Sequence, residues 1–137
     1  MNKLAPKTHF QIEGNRCLRQ MIRKGDYGML ADVKDAYLEL GLRAEHRKYC
    51  RFRWKQRRWQ WRTVSFGTRN APWTFTKFMR PIIAELRALG IRGMIYLDDL
   101  CVLNQDKRMC AVEMAVAMQV LQRHFNLQVK TSKCSFV

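Results

Sequence analysis

Acid, proline and glycine are scarce in this chain, and long apolar runs are missing altogether. Eleven Asp and Glu stand against twenty-six Lys and Arg in 137 residues, leaving a net charge of +15. Such a field repels itself and calls for a polyanionic partner, nucleic acid first and an anionic membrane surface second. No stretch of about 20 apolar residues exists, which excludes a membrane-spanning helix. The opening segment MNKLAPKTHFQIEG lacks the apolar core of a secretory signal. The expected location is therefore intracellular, in cytoplasm or nucleus. The five cysteines (Cys17, Cys50, Cys101, Cys110 and Cys134) are odd in number and form no CxxC pair. That favours reduced thiols over a disulfide frame or a zinc site. Three scattered histidines (His9, His46 and His124) do not restore a metal finger. With 47% apolar residues, no repeat and no low-complexity tract, the chain is one folded domain with one modest core.

Punctuation and periodicity divide the chain into elements. Residues 15–24 read as a short helix, with Leu18, Met21 and Ile22 on one face and Gly25 as its stop. Residues 28–33 read as a strand running into acids. Residues 49–54 and 59–64 alternate large apolar and basic side chains, and 55–58 is the turn between them, without the usual Gly or Asn. Residues 70–89 form the clearest helix. Asn70 is placed to cap it, Pro72 lies in its first turn and Gly90 ends it, while Pro81 predicts a kink or break. Residues 93–97 and 100–104 are short apolar strands with Asp98-Asp99 as their turn. A Met- and Ala-rich helix follows over 106–125, then one or two strands over 127–137. The order describes an α+β fold with helices packed on one face of an antiparallel sheet.

Four of the six aspartates fall in two groups, Asp32 and Asp35 in ADVKDAY and Asp98 and Asp99 in YLDD. Each group ends an apolar strand. Ordinary turn chemistry accounts for an Asp pair in a hairpin. The alternative is a two-metal site, because phosphoryl transfer needs metals held in place and charge neutralised more than it needs covalent help. Mg²⁺ takes hard oxygen ligands, one or two carboxylates plus substrate phosphates. Adjacent strand ends would bring Asp32 and Asp98 together, with Asp99 in support.

Residues 43–62 hold nine Lys and Arg and one acid, Glu45, and so carry +8 of the total. Tyr49, Phe52, Trp54, Trp59 and Trp61 are interleaved with them. Alternation places Phe52 and Trp54 on one face and Arg51 and Arg53 on the other. The cations Arg47, Lys48, Arg51, Arg53, Lys55, Arg57 and Arg58 are candidates for nucleic-acid contact, with affinity falling steeply in salt. The aromatic rings stack on bases or else form the packed face of a sheet, the second reading being favoured for Trp59 and Trp61.

Taken together, several blocks in order resemble a reverse transcriptase over nearly the whole chain. ADVKDAY resembles the first catalytic block, SFGTRNAPWTFTKFM the second, YLDD the YxDD box, and VKTSKCSF the fourth block, with its lysine at Lys133. HRKYCRFRW resembles a fingers strand between the first two blocks. The wording of RKYCRFRW, FGTRNAP, FMRPII and GIRGMIYLDDL is nearest to DIRS-type retroelements, with gypsy-type LTR elements next.

The resemblance implies a palm over approximately 15–39 and 71–137, a fingers hairpin region over 40–70, and no thumb. It implies an RNA-directed DNA polymerase with two Mg²⁺ ions, Mn²⁺ being able to substitute. Asp32, Asp98 and Asp99 would be the catalytic metal ligands, with the main-chain carbonyl of Val33 beside them. Asp35, Ala36, Tyr37, Phe66 and Gly67 would form the nucleotide pocket, Tyr37 as the steric gate against a 2′-OH. A buried core aromatic is the plainer reading of Tyr37. Tyr96 and Leu97 would lie at the primer end. Lys133 would act on the leaving pyrophosphate, or is an ordinary surface lysine. The implied partners are an RNA or DNA template with primer, dNTPs, and the remaining fingers, thumb and RNase H segments of a longer polyprotein; no membrane is implied. Two departures stand out. Ser65 replaces the usual Pro before Phe-Gly, which is expected to loosen that turn, and the hairpin lacks its Gly. The competing readings are a truncated, inactive remnant that binds nucleic acid, a structural basic protein, and a metal nuclease.

Overall fold

A computed structural model of the chain describes residue 10 and residues 14–35, 37–65, 67–125 and 129–136. Helix α1 (Asn15–Met21) leads into strand β1 (Tyr27–Val33). A short helix α2 (Ala44–Arg47) and a 3₁₀ turn (Lys48–Cys50) precede the hairpin of β2 (Arg51–Trp54) and β3 (Arg57–Gln60). Then come α3 (Ala71–Ala88), β4 (Arg92–Tyr96), β5 (Asp99–Asn104), α4 (Lys107–Phe125) and β6 (Val129–Phe136). Four strands make one antiparallel sheet in the order β4-β5-β1-β6, and β2-β3 stands as a separate two-stranded ribbon.

The core lies between that sheet and the two long helices. Along α3, Phe75, Met79, Ile82, Ile83 and Leu86 are buried, following the three- and four-residue steps of the sequence. Cys110, Met114, Ala117, Val120 and Leu121 do the same for α4. Ala31 and Val33 of β1 and Leu100 and Val102 of β5 meet them from the sheet. Each fully buried Val, Leu, Ile, Phe or Met side chain contributes about 1.5–3 kcal/mol, an upper figure set by an extended unfolded reference. Alternation then turns Leu30 and Asp32 of β1, and Asp99 and Cys101 of β5, to the opposite face.

Local chemistry sets the element ends. Gly90, at φ +80°, closes α3, with Gly90 N–H donating to Arg87 and Ile91 N–H to Leu86. These are the two bonds of a Schellman motif, and they need the left-handed conformation glycine tolerates. Asp106 caps α4, its Oδ1 accepting from Met109 N–H at 2.9 Å. Asn70 occupies the N-cap of α3 without a side-chain cap bond. Its carbonyl instead accepts from the Thr74 hydroxyl at 2.9 Å.

Four expectations need correction. Of the kink or break expected at Pro81, the break does not occur: helix α3 continues through the exposed proline, which sits opposite the buried Met79, Ile82 and Ile83. Helix α1 stops at Met21 rather than Lys24, and the Met21 carbonyl accepts from the Arg92 guanidinium at 3.1 Å. The β2–β3 turn is only Lys55-Gln56, so β3 begins at Arg57, while the ladder stops at Arg51 and Gln60 and leaves four-residue strands in place of the expected 49–54 and 59–64. The β4–β5 turn is Leu97-Asp98, which leaves Asp99 inside β5. Cys17, Cys50, Cys101 and Cys110 are free thiols. Among the described residues, no helix is long and apolar enough to cross a membrane.

Candidate active site

The carboxylates meet at one end of the four-stranded sheet. In the ladder between β1 and β5, Asp32 stands opposite Asp99. Val33 N–H donates to the Asp98 carbonyl at 2.7 Å. Asp32–Asp99 is therefore the neighbouring non-hydrogen-bonded pair, the type that brings side chains closest. Like charges placed directly across a ladder repel each other. Oδ2 of Asp32 is buried, Asp98 is partly covered and Asp99 is exposed. Their oxygens are the hard donors a divalent cation prefers, and Mg²⁺ needs only one or two protein carboxylates beside substrate phosphates. The donor set fits such an ion on chemical grounds. Among the described residues, no group of three His, Cys, Asp or Glu side chains is assembled to hold a metal without substrate.

The turn that presents Asp98 is strained. Tyr96 pairs with Asp99 across the hairpin, so Leu97 and Asp98 are its two central residues. Leu97 has φ +54°, at the first central position of a two-residue turn, where glycine is usual. A branched residue held there costs about 1–3 kcal/mol. Tyr96 is exposed beside it.

Tyr37 is 8% exposed, belongs to the core, and lies against Phe75 with ring centroids 5.1 Å apart. Burial first, and then the Asp98 carboxylate, raise its phenol above the ordinary value. Tyr37 thus has both a core aromatic's packing and a position within the field of the acidic site. Asp35 is exposed with φ +50°. Gly67 has φ +81°, and a Cβ there would meet nothing within 4 Å. Within this chain its backbone angle, rather than a close approach, requires glycine. In the turn that carries Ser65, the Thr68 hydroxyl donates to the Ser65 carbonyl. Ala36 and Phe66 lie outside the described residues.

Strand β6 runs beside β1 on the side away from β5. Lys130 is opposite Asp32 there, and Ser135 is opposite Leu30. Lys133 falls in the irregular stretch between these two registers.

The basic ribbon stands apart from this sheet. Its register confirms the alternation, with Phe52 opposite Trp59, Trp54 opposite Arg57, Arg53 opposite Arg58, and Arg51 opposite Gln60. Lys48, Arg51, Arg53, Lys55, Arg57 and Arg58 are all exposed. Arg47 is partly buried, its Nε donating to the Leu42 carbonyl at 3.1 Å, so it also anchors the base of the ribbon. Trp59 and Trp61, expected on a packed face, are 46% and 41% exposed.

A family model described as reverse transcriptase (RNA-dependent DNA polymerase) matches residues 1–137. This chain belongs to the reverse transcriptase family. The reverse transcriptase domain is 27% identical over 105 residues to an enzymatic polyprotein of Cassava vein mosaic virus, covering 77% of the chain and 16% of that polyprotein. Its fold superposes on the native protease-reverse transcriptase of prototype foamy virus with a TM-score of 0.82 at 19% identity, over 98% of this chain and 17% of that one. A selenomethionine-labelled CSH mutant of the same foamy virus protein matches equally, at a TM-score of 0.82. The domain thus spans about one-sixth of the length of these relatives. The α+β fold, with helices on an antiparallel sheet, is that of a reverse transcriptase palm fragment.

Reading the sequence alone missed two features of the domain. The register of Lys130 against Asp32 depends on an irregular ladder that no local pattern announces. The pair of Asp26 and Arg92, bonded at 2.6 and 2.7 Å, joins residues 66 positions apart. A lone Asp after Gly25 reads only as turn chemistry.

Proposed function

We propose that this chain is the palm, with part of the fingers, of an RNA-directed DNA polymerase acting by two-metal nucleotidyl transfer. The observation that carries the proposal is the placement of Asp32 across from Asp99, with Asp98 tied to Val33 at the adjoining turn. In the reaction a primer 3′-OH loses its proton, its oxygen bonds to the α-phosphorus of a dNTP, and the bond to the β-phosphate breaks to release pyrophosphate. Asp32, Asp98 and Asp99, with the Val33 carbonyl, would hold two Mg²⁺ ions, or Mn²⁺ in their place. Such ions supply charge neutralisation at the attacking and leaving oxygens.

The chain's own residues supply position. Asp35, Ala36, Tyr37, Phe66 and Gly67 form the nucleotide pocket in this proposal, Tyr37 excluding a 2′-OH. Its burial against Phe75 supports that role, because a ring held by packing makes a firm wall. Tyr96 and Leu97 meet the primer end, and Lys133 acts on pyrophosphate. Arg47, Lys48, Arg51, Arg53, Lys55, Arg57 and Arg58 hold template phosphates. The palm occupies roughly 15–39 and 71–137, and the fingers region 40–70. The wording of the motifs supports a DIRS-type or gypsy-type retrotransposon, in a longer polyprotein that supplies the remaining fingers, a thumb and an RNase H segment.

Primer extension by the polyprotein that carries this chain tests the proposal on RNA and DNA templates with Mg²⁺. Asp98→Asn should lower extension by about 10²–10³-fold, the scale for losing one stabiliser of developing charge. Equal extension by the parent and the variant would overturn it.

A further inference from the structure

Four aromatic side chains share one face of the β2–β3 ribbon, and among the described residues each is exposed. Phe52, Trp54, Trp59 and Trp61 are 44%, 56%, 46% and 41% exposed. They tile the face in contact with one another, Phe52 on Trp61 at 5.7 Å between centroids and Trp54 on Trp59 at 6.4 Å. Large rings exposed together are costly in water and mark a surface with an occupant.

Charge says what kind of occupant. No acid occurs between Glu45 and Glu85, while eleven Lys and Arg do. The aromatic face has cations of its own at its tip. Arg57 is the cross-strand partner of Trp54, and Lys55 Nζ sits 4.6 Å from the Trp54 ring centroid. Arg53 and Arg58 line the opposite face. An apolar protein segment would cover the rings and leave this charge unanswered. A polyanion with flat, unpaired faces answers both.

We infer that the aromatic face of the β2–β3 ribbon is a stacking platform for the unpaired bases of single-stranded nucleic acid, with Lys55 and Arg57 holding its phosphates. Duplex does not fit this face, because its bases are already stacked and offer the rings only an edge. Same-face residues along a strand recur about every 6.8 Å, twice the 3.4 Å rise of stacked nucleotides. A single strand laid along the ribbon therefore meets successive rings with its bases drawn apart. The inference rests on the nucleic-acid reading above and extends it from phosphate contact to base contact.

Fluorescence anisotropy of a labelled oligothymidylate of about 12 nucleotides, bound by the full chain, tests it. The double variant W54A/W59A should weaken binding by about 10²-fold, and W54F/W59F should restore most of it, because Phe keeps a stacking face. Affinity for a blunt duplex of the same length should change less than about twofold, since its contacts are to phosphate. Unchanged single-strand affinity in W54A/W59A overturns the inference, as does an equal loss on duplex. An oligomer that dissociates in W54A/W59A while oligonucleotide affinity holds would also overturn it and assign the face to protein. Binding needs no metal and no catalysis, so these outcomes stand apart from primer extension with Asp98→Asn. Lost extension together with unchanged W54A/W59A affinity would sink the platform and keep the polymerase.

Discussion

Asp26 and Arg92 form a two-pronged ion pair, at 2.6 and 2.7 Å, that fastens the entry to β1 onto β4. The Asp26 side chain is 1% exposed, and its Oδ2 also accepts from Arg23 N–H at 2.7 Å. Arg92 reaches on to the Met21 carbonyl, so one guanidinium holds the end of α1, the turn after it and the sheet. This lock lies at the far end of β1 from Asp32, roughly 20 Å away at 3.3 Å per residue.

Breaking that pair should cost stability without touching the acidic site. Asp26→Asn is expected to destabilise the fold by about 3 kcal/mol, since it leaves a half-buried guanidinium poorly matched. The Arg92 hydrogen bond, against the opposing effect of burial, holds the Asp26 carboxyl below its ordinary 3.8. Its contribution is therefore present above that value and lost as pH falls through the lower folded value. Urea unfolding from neutral to acid pH checks both points. The variant should be weaker at neutral pH and flatter in acid.

The opposed charges of Asp32 and Asp99 predict a metal-dependent stability. Without divalent ions, Asp99→Asn should be as stable as the parent or more so, by about 0.2–1 kcal/mol, because a cross-strand repulsion is gone. With millimolar Mg²⁺ the parent should gain melting temperature, as any ligand of the folded state confers, and the variant should gain less. Thermal melts in chelator and in Mg²⁺ measure this. Equal gains in both proteins would contradict the assignment of Asp99.

Tyr37 should report on Asp98. Burial and then the Asp98 charge raise its phenol above the ordinary 10.0. A neutral phenol is thus favoured in the fold, and that stability is present below the unfolded value and lost as pH rises through the folded one. Asp98→Asn removes the smaller cause, so the Tyr37 titration should move down while staying above its unfolded value. Ring NMR signals followed against pH give the answer, and an unmoved titration would separate the two residues.

The tip of the basic ribbon should accept improvement. Lys55 and Gln56 have φ +45° and +60°, the geometry of a type I′ turn that favours Asn-Gly. The double change K55N/Q56G should stabilise the fold by about 1 kcal/mol by removing left-handed strain from ordinary residues. The urea midpoint should rise with the slope unchanged. Because Lys55 is lost, single-strand affinity should fall while stability rises.

Some of this protein was written locally and some was not. The helix over 70–89 was legible because a turn residue, a proline, a 3.6-residue apolar rhythm and a glycine agreed with one another. The acidic groups were legible because YLDD and ADVKDAY end apolar strands in an acid-poor chain. Tertiary structure decided whether Pro81 would break its helix, since burial of its neighbours outweighed one missing hydrogen bond. It also decided the register. One residue of difference in the β4–β5 turn moved Asp99 from the bend into the strand, opposite Asp32. A strand's side chains alternate with a period of two, so a single step changes which face a carboxylate occupies. No local pattern sets that step, because the partner strand β1 lies about seventy residues away and register is fixed once one face of the sheet is buried against the helices. The exposure of Trp59 and Trp61 has the same origin. Sequence supplied an aromatic face on the ribbon, and only the tertiary structure showed that nothing among the described residues covers it.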